Sequence, residues 1–442
     1  MNAREAAMLT LNACERQGGW SDGTLKKQLA AAQLDGRDAA LATQLCFGVL
    51  QNRLLLDFYL GHLSSISLKR MESRVLQILR LGAYQLLFLD KIPHSAAVNS
   101  AVEMARSYSK NPRVPGMVNA ILRGLERNLH QLPTIPSENR VSYLSTLYSH
   151  PEWLVKEYLS ILGPEETAAL LRANNGHPPV TAMVNTTRTT QAELIDRLAQ
   201  QRVEAQPHPW MRDCLILSGT GNLEALDAFR EGLFYVQDLA SRMAVLASGV
   251  KPGDRVLDVC AAPGGKSFAA AIQMENRGEI ISCDLHAHKK KLIQNGADRL
   301  GLSVIRPMTA DGKEFRPTWE GHFDAVIVDA PCSSLGVIRK KPDIRYKDPE
   351  PLKDLPEVQL AILSNAARYV RPGGVLLYST CTVLPRENQA VVERFLDQCS
   401  DITLEHFAIP GISEPETIGM LSLWPHVHDT DGFFISKLRK ME

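Results

Sequence analysis

Along the first 130 residues apolar side chains return every three or four positions, with no stretch alternating apolar and polar. That spacing belongs to helices with one buried face, and it is clearest over residues 39–50, 74–89 and 95–108. Asn111-Pro112 and Val114-Pro115-Gly116 punctuate the last pair of helices, and Pro133 and Pro136 in a polar stretch mark a first boundary. Between 137 and 236 the period mixes. Helices are expected over 151–162, over 190–200 with Thr190 as cap, and over 223–229; strands are expected at 180–184, 214–217 and 232–236. Such short alternating elements predict a small α+β module, ferredoxin-like or RNA-recognition-like. From about 240 the pattern becomes regular. Strand candidates at 255–259, 279–283, 305–308, 325–328 and 375–378 are separated by helical stretches, as parallel strands with crossovers require. Asp431-Gly432 turns into a last apolar run, expected to be an antiparallel strand. The expected fold is a doubly wound, Rossmann-like α/β domain (237–442), preceded by an all-helical domain (1–136) and by a linker helix with the α+β module (137–236).

Composition changes little in this picture. Hydrophobic residues make up 45% and charged residues 22% of 442 positions, which excludes a disordered chain. The longest apolar candidate, 79–89, is interrupted by Arg80, Gly82 and Gln85 and falls short of the roughly 20 residues that span a bilayer. The N-terminus lacks a signal-peptide core, so a cytoplasmic protein without a membrane partner is expected. Eight cysteines include no CxxC pair, and reduced thiols are expected. Cys283 with His286 and His288 is the nearest approach to a metal cluster; it reads as a solvated loop, and no metal is expected. Net charge is zero but uneven: residues 1–145 hold 17 Lys/Arg against 11 Asp/Glu. Arg339-Lys340-Lys341, Arg345 and Lys347 form a second basic cluster in a loop-like stretch. Either could dock phosphates, although solvated helix faces explain the first excess nearly as well.

Candidate chemistry begins at 256–273. The apolar run Val256–Val259 enters Cys260-Ala261-Ala262-Pro263-Gly264-Gly265-Lys266, followed by a helical stretch. A strand, a turn of small residues and a helix start make a nucleotide-binding corner, because glycines let backbone amides approach a ligand closely. Asp284 ends the next strand, where a carboxylate would hold both ribose hydroxyls; Asp311 follows the third, placed to reach an adenine edge. Acids at two strand ends, with no Walker-type lysine, favour a nucleoside cofactor lacking phosphates, with a dehydrogenase still open at this point.

Asp329-Ala330-Pro331-Cys332 lies just past the fourth strand and Ser379-Thr380-Cys381-Thr382 just past the fifth, both at the carboxyl edge where open α/β sheets bind ligands. A single thiol there would read as a buried core cysteine. Two thiols and an acid beside a nucleoside pocket point to chemistry instead. A free thiol is only a few per cent ionised at neutral pH, so nearby cations such as Lys266 must help.

The segments DAPCSSLG (329–336), STCT (379–382) and CAAPGGK (260–266), with PRENQ (385–389), resemble those of the RNA cytosine-5 methyltransferase family. Gln237–Ser241 and His428–Phe434 are similar to that family's Gln-Asp-x-Ala-Ser helix and terminal hairpin. The first 130 residues resemble the NusB antitermination-factor fold. The resemblance implies an S-adenosylmethionine-dependent methyltransferase domain behind a NusB-like RNA-binding domain. It implies Cys381 as the attacking thiol on cytosine carbon 6, Cys332 as the releasing thiol and Asp329 as the partner of N3. Cys260 to Lys266 (Ala261, Ala262, Pro263, Gly264 and Gly265 between them), Asp284, Asp311 and Asp329 would line the S-adenosyl-L-methionine pocket. The combination implies naked 16S rRNA as substrate and a monomer without an obligate protein partner. A tRNA-directed member would not be expected to carry the NusB-like part, and a non-catalytic antitermination-type factor would need neither cysteine.

Overall fold

The helical period of the N-terminal part becomes α1 (Ala3–Gln17), α2 (Ser21–Ala32), α3 (Gly36–Leu63), α4 (Ser73–Phe88), α5 (His94–Tyr108), α6 (Val114–Arg127), α7 (Arg140–Tyr148) and α8 (Glu152–Ala173). The computed structural model describes residues 1–17, 20–412 and 418–442. It separates into two compact units: Met1–Gly176 with Ile338–Lys347, and His177–Val337 with Asp348–Glu442. Leu45, Val49, Leu56 and Leu60 of α3 meet Ile78 and Leu79 of α4, Val98 of α5 and Leu122 of α6 in the core of the first unit. By length and composition α3 could cross a membrane, although its apolar positions are interspersed with polar ones. Its apolar positions are instead spent on this core. Arg80, expected only to interrupt an apolar run, is buried in α4 and bound by Asp57 (2.7 Å) and Glu15 (3.2 Å). The helix expected to end at 162 continues as α8 past a kink at Gly163-Pro164.

The basic stretch 338–347 departs from expectation. It is a strap packed into the first unit rather than a solvated phosphate-docking loop. Arg345 is fully buried, its guanidinium donating to Asn175 Oδ1 (2.8 Å), the Ser149 carbonyl (3.2 Å) and the Asn174 carbonyl (3.3 Å). Asp343 accepts from Ser21 Oγ (2.7 Å), the Tyr346 hydroxyl reaches the Leu50 carbonyl (2.9 Å), and Arg53 lies over the Tyr346 ring (4.0 Å). Arg339 is buried as well. Arg339 and Arg345, which read as surface charge, are thus internal, while Lys341 is exposed and Lys340 and Lys347 are half-buried.

The second unit begins with β1 (Val180–Val184), α9 (Gln191–Gln200), β2 (Glu204–Pro207), β3 (Cys214–Ser218), α10 (Asp227–Arg230) and β4 (Phe234–Val236). These form the expected ferredoxin-like module, an antiparallel sheet of order β2-β3-β1-β4. Thr190 caps α9 in a capping box with Glu193. The expected helix 223–229 divides into a turn of 3₁₀ helix and the short α10. The edge strand β2 was not expected.

The rest of the unit is α11 (Leu239–Ser248), β5 (Arg255–Asp258), α12 (Gly265–Gln273), β6 (Glu279–Asp284), α13 (Ala287–Leu300), β7 (Ile305–Thr309), β8 (Phe323–Asp329), α14 (Leu355–Tyr369), β9 (Val370–Thr380), α15 (Gln389–Leu396), β10 (Ile402–Leu404), β11 (Met420–Leu423), α16 (Pro425–His428) and β12 (Phe433–Lys440). The sheet runs β10-β12-β9-β8-β5-β6-β7, with β11 on β12. The five strands from β9 to β7 are parallel, and β12 pairs antiparallel with β9, Phe434 opposite Thr380. The chain winds outward through β6 and β7 and returns to β8 beside β5. That reversal falls at the carboxyl ends of β5 and β8, the position where such sheets bind ligands.

Candidate active site

Asp258 closes β5 and the turn from Cys260 to Gly264 leads into α12. Gly264, at φ +114°, is the residue that admits this turn: a Cβ there would also sit 2.5 Å from the Phe268 ring. Ser267 Oγ donates to Asp258 Oδ2 (2.7 Å), while Asp258 Oδ1 is buried without a partner among the described residues. Burial raises the Asp258 carboxyl to about 7. Asp284 ends β6, its Oδ1 accepting from the His286 amide (3.0 Å) and facing Lys289 (3.4 Å). The Ala310 amide donates to the Asp284 carbonyl (3.1 Å), so Asp311 follows directly on that contact. Cys283 is buried within β6, against the expectation of a solvated loop, while His286 and His288 stack on the surface.

On the other side of the β5 turn, Asp329 is the last residue of β8. Its Oδ2 lies 2.7 Å from Lys266 Nζ, and its Oδ1 accepts from Ser379 Oγ (2.9 Å). Lys266 is buried, donates to Ser241 Oγ (2.9 Å) and lies over the Phe433 ring (5.0 Å). Cys332 and Cys381, 49 positions apart in sequence, bring their sulfurs to 3.4 Å. Both are half-buried free thiols. The pair is electrostatically split: hydrogen bonding from Cys332 lowers the Cys381 thiol against the cost of burial, with Ser334 and Lys266 helping. Cys332 is pushed up, first by that same bond and then by burial. The hydrogen bond between the two sulfurs thus favours ionisation of Cys381 over that of Cys332.

The turns carrying the thiols are tightly fastened. Buried Glu387 accepts from the Ser333 amide (2.8 Å) and from Gln359 Nε2 (3.0 Å), which also donates to the Pro331 carbonyl. Asn388 donates to the Thr382 carbonyl (3.0 Å) and accepts from Thr380 Oγ1 (2.6 Å). Gly336 donates to the Cys381 carbonyl (2.9 Å) and accepts from the Gly432 amide (2.8 Å). A Cβ on Gly336 would lie 1.8 Å from the Gly432 oxygen, so this backbone-on-backbone contact tolerates no side chain. Thus the structure brings Cys332, Cys381, Asp329 and Lys266 together, with Asp284 and Asp311 on the opposite side of the glycine turn.

The sequence model of the 16S rRNA methyltransferase RsmB/F family matches residues 245–439, that of the NusB family residues 1–127, and that of the RsmF/B-like ferredoxin-like domain residues 150–224. A probable ribosomal RNA small subunit methyltransferase B of Bacillus subtilis is 37% identical over 99% of both chains. The chain belongs to the RsmB family. A ribosomal RNA small subunit methyltransferase B of Vibrio cholerae is 33% identical, covering 100% of this chain and 98% of its own. Among solved structures, the protein PH0851 superposes with a TM-score of 0.82 at 26% identity, covering 99% of this chain and 98% of its own. A methyltransferase homologue from Pyrococcus horikoshii gives 0.59 at 26% identity, over 69% of this chain and all of its own.

For this RsmB-family chain the sequence signalled Gln237–Ser241, PRENQ and the terminal hairpin only as resemblances, without roles. The structure gives them work: Ser241 and Phe433 face Lys266, and Glu387 and Asn388 fasten the thiol turns. Ser334 was part of a quoted motif but was not singled out.

Proposed function

We propose that this chain methylates carbon 5 of a cytosine in naked 16S rRNA, with S-adenosyl-L-methionine as methyl donor, through a covalent adduct of Cys381 with cytosine carbon 6. The observation that carries the reading is the 3.4 Å approach of Cys332 and Cys381 beside the Lys266–Asp329 ion pair. The site fits a nucleoside cofactor: a glycine turn at a helix start, a carboxylate ending β6 and another past β7, and an unmatched buried oxygen on Asp258. Cys260 to Lys266, Asp284, Asp311 and Asp329 would hold it. When bound, S-adenosylmethionine supplies an electrophilic methyl group.

Cytosine carbon 5 is too electron-poor to attack a methyl group unaided. Addition of the Cys381 thiolate to carbon 6 forms an S–C bond and moves the ring electrons toward carbon 5 and N3. N3 takes up a proton from solvent as this charge develops, and Asp329, fixed by Lys266 and Ser379, would accept the hydrogen bond from N3–H while the Lys266 ammonium offsets the charge the ring takes up. After transfer, Cys332, its own proton given up to solvent, removes the proton on carbon 5, and the S–C6 bond breaks to return Cys381 as thiolate. A cytosine in a single-stranded loop suits such a site, because the base must leave its stack to reach the sulfur. In this reading the helical unit docks RNA through phosphate contacts, and the enzyme is a cytoplasmic monomer. Bisulfite sequencing of rRNA and tRNA from a strain lacking the gene should show one cytosine losing protection in 16S rRNA. Loss in tRNA alone would favour a tRNA-directed enzyme.

Asp284→Ala should weaken S-adenosylmethionine binding by about tenfold or more while RNA affinity changes little. Loss of hydrogen bonds to a charged acceptor costs about 1.5–3 kcal/mol. Calorimetry giving the wild-type cofactor affinity would remove Asp284 from the pocket.

A further inference from the structure

Ser334 stands one residue past the Cys332–Ser333 pair in a backbone conformation that side chains avoid, with φ +60°. The turn around it leaves little freedom to relax: the Val337 amide donates to the Ser334 carbonyl (3.1 Å), Ser333 is held by Glu387 and by Thr382 Oγ1 (2.7 Å), and Gly336 is bonded to Cys381. A non-glycine residue in this region is strained, and such strain persists where a side chain is needed. Here the side chain is a hydroxyl whose Oγ lies 3.5 Å from Cys381 Sγ. The Ser334 backbone N–H hydrogen-bonds the Cys332 sulfur. One strained residue therefore addresses both thiols, the amide one sulfur and the hydroxyl the other.

We propose that Ser334 is a further catalytic residue, its hydroxyl donating a hydrogen bond to the Cys381 sulfur and holding it in the attacking form. The proposal rests on the reading of Cys381 as nucleophile given above. With Cys381 neutral, its S–H donates to the Ser334 oxygen; with Cys381 ionised, the Ser334 O–H donates to the sulfur. Ionisation sends the thiol proton to solvent, and the hydroxyl then rotates to donate to the sulfur left behind. Lys266 is engaged by Asp329 and Ser241, so Ser334 is the hydroxyl that meets this sulfur directly. A glycine at this position would fit the backbone better and lose this contact.

The test uses the full-length protein with Ser334→Ala and Ser334→Gly. Alkylation of Cys381 by iodoacetamide, followed across pH by mass spectrometry of its peptide, reads the thiolate without requiring turnover. Both variants should alkylate Cys381 about tenfold more slowly at neutral pH, with the profile displaced to higher pH. Methylation of RNA should fall about tenfold in kcat with KM for RNA unchanged. The glycine variant should melt no lower than wild type, because it relieves the positive φ. Wild-type alkylation profiles in both variants would overturn the proposal, as would a loss confined to glycine, which would assign the effect to the backbone. Displaced alkylation with undiminished methylation would remove Cys381, and Ser334 with it, from the chemistry. An undisplaced profile alongside an inactive Cys381→Ala enzyme would overturn the Ser334 proposal alone.

Discussion

Incubated with substrate RNA and S-adenosylmethionine, Cys332→Ala protein should accumulate a protein–RNA adduct that survives denaturing electrophoresis, while Cys381→Ala should form neither adduct nor product. The expectation follows from the order of bond changes. In the proposed mechanism attack makes the thioether at carbon 6 before any methyl group moves, and release breaks it only after the proton on carbon 5 has gone. The two carbons are neighbours in the ring, and the two sulfurs are 3.4 Å apart. A base held on one sulfur thus presents its carbon 5 proton to the other. The split of the pair, with Cys381 lowered and Cys332 raised, gives the same division of labour. Turnover should fall below detection in Cys381→Ala, and the double mutant should show no adduct. Adduct in Cys381→Ala but not in Cys332→Ala would reverse the roles. Full activity in both single variants would end the covalent mechanism for this protein.

The second large effect concerns stability. Arg345→Ala should destabilise the helical unit by about 3 kcal/mol, because each buried acceptor left without a donor costs about 1–3 kcal/mol. Its guanidinium satisfies the Ser149 and Asn174 carbonyls and Asn175 Oδ1 at the ends of α7 and α8, where carbonyls have no helical partner. Removing it strands those acceptors in a site closed to water. Hydrogen exchange should show amides across 144–176 losing protection, and the denaturant midpoint of this unit should drop. Unchanged protection there would mean that the strap is an ornament of the fold.

Where a local pattern and its burial agree, the sequence was enough. Val256–Val259 running into small residues specified strand, turn and helix, and Thr190 marked a helix start that the structure keeps. The thiol pair was legible as two strand ends on one sheet edge, because parallel strands deliver their carboxyl ends to the same side. Other features were not legible, for physical reasons. Glu204–Pro207 has no apolar alternation, since an edge strand exposes most of its side chains. The 338–347 strap carries charges that normally mark solvent, and only the carbonyls waiting at Ser149 and Asn174 make their burial favourable. Lys266 could be named as an aid to the thiol, but its partners Asp329 and Ser241 come from elements 63 and 25 positions away. Ser334 carries no sequence signal of strain, because φ is a property of the closed turn.

The Gly336–Gly432 contact also bears on when the enzyme can act. Both thiols and the turn bearing Cys332 are synthesised before the segment that completes their surroundings: Gly432, Phe433 and the β12 strand laid against β9. A growing chain that has already exposed Cys332 and Cys381 still lacks the amide that fastens Gly336 and the ring that covers Lys266. The contacts of Gly432 with Gly336 and of Phe433 with Lys266 are therefore the last of this site's described contacts to be synthesised.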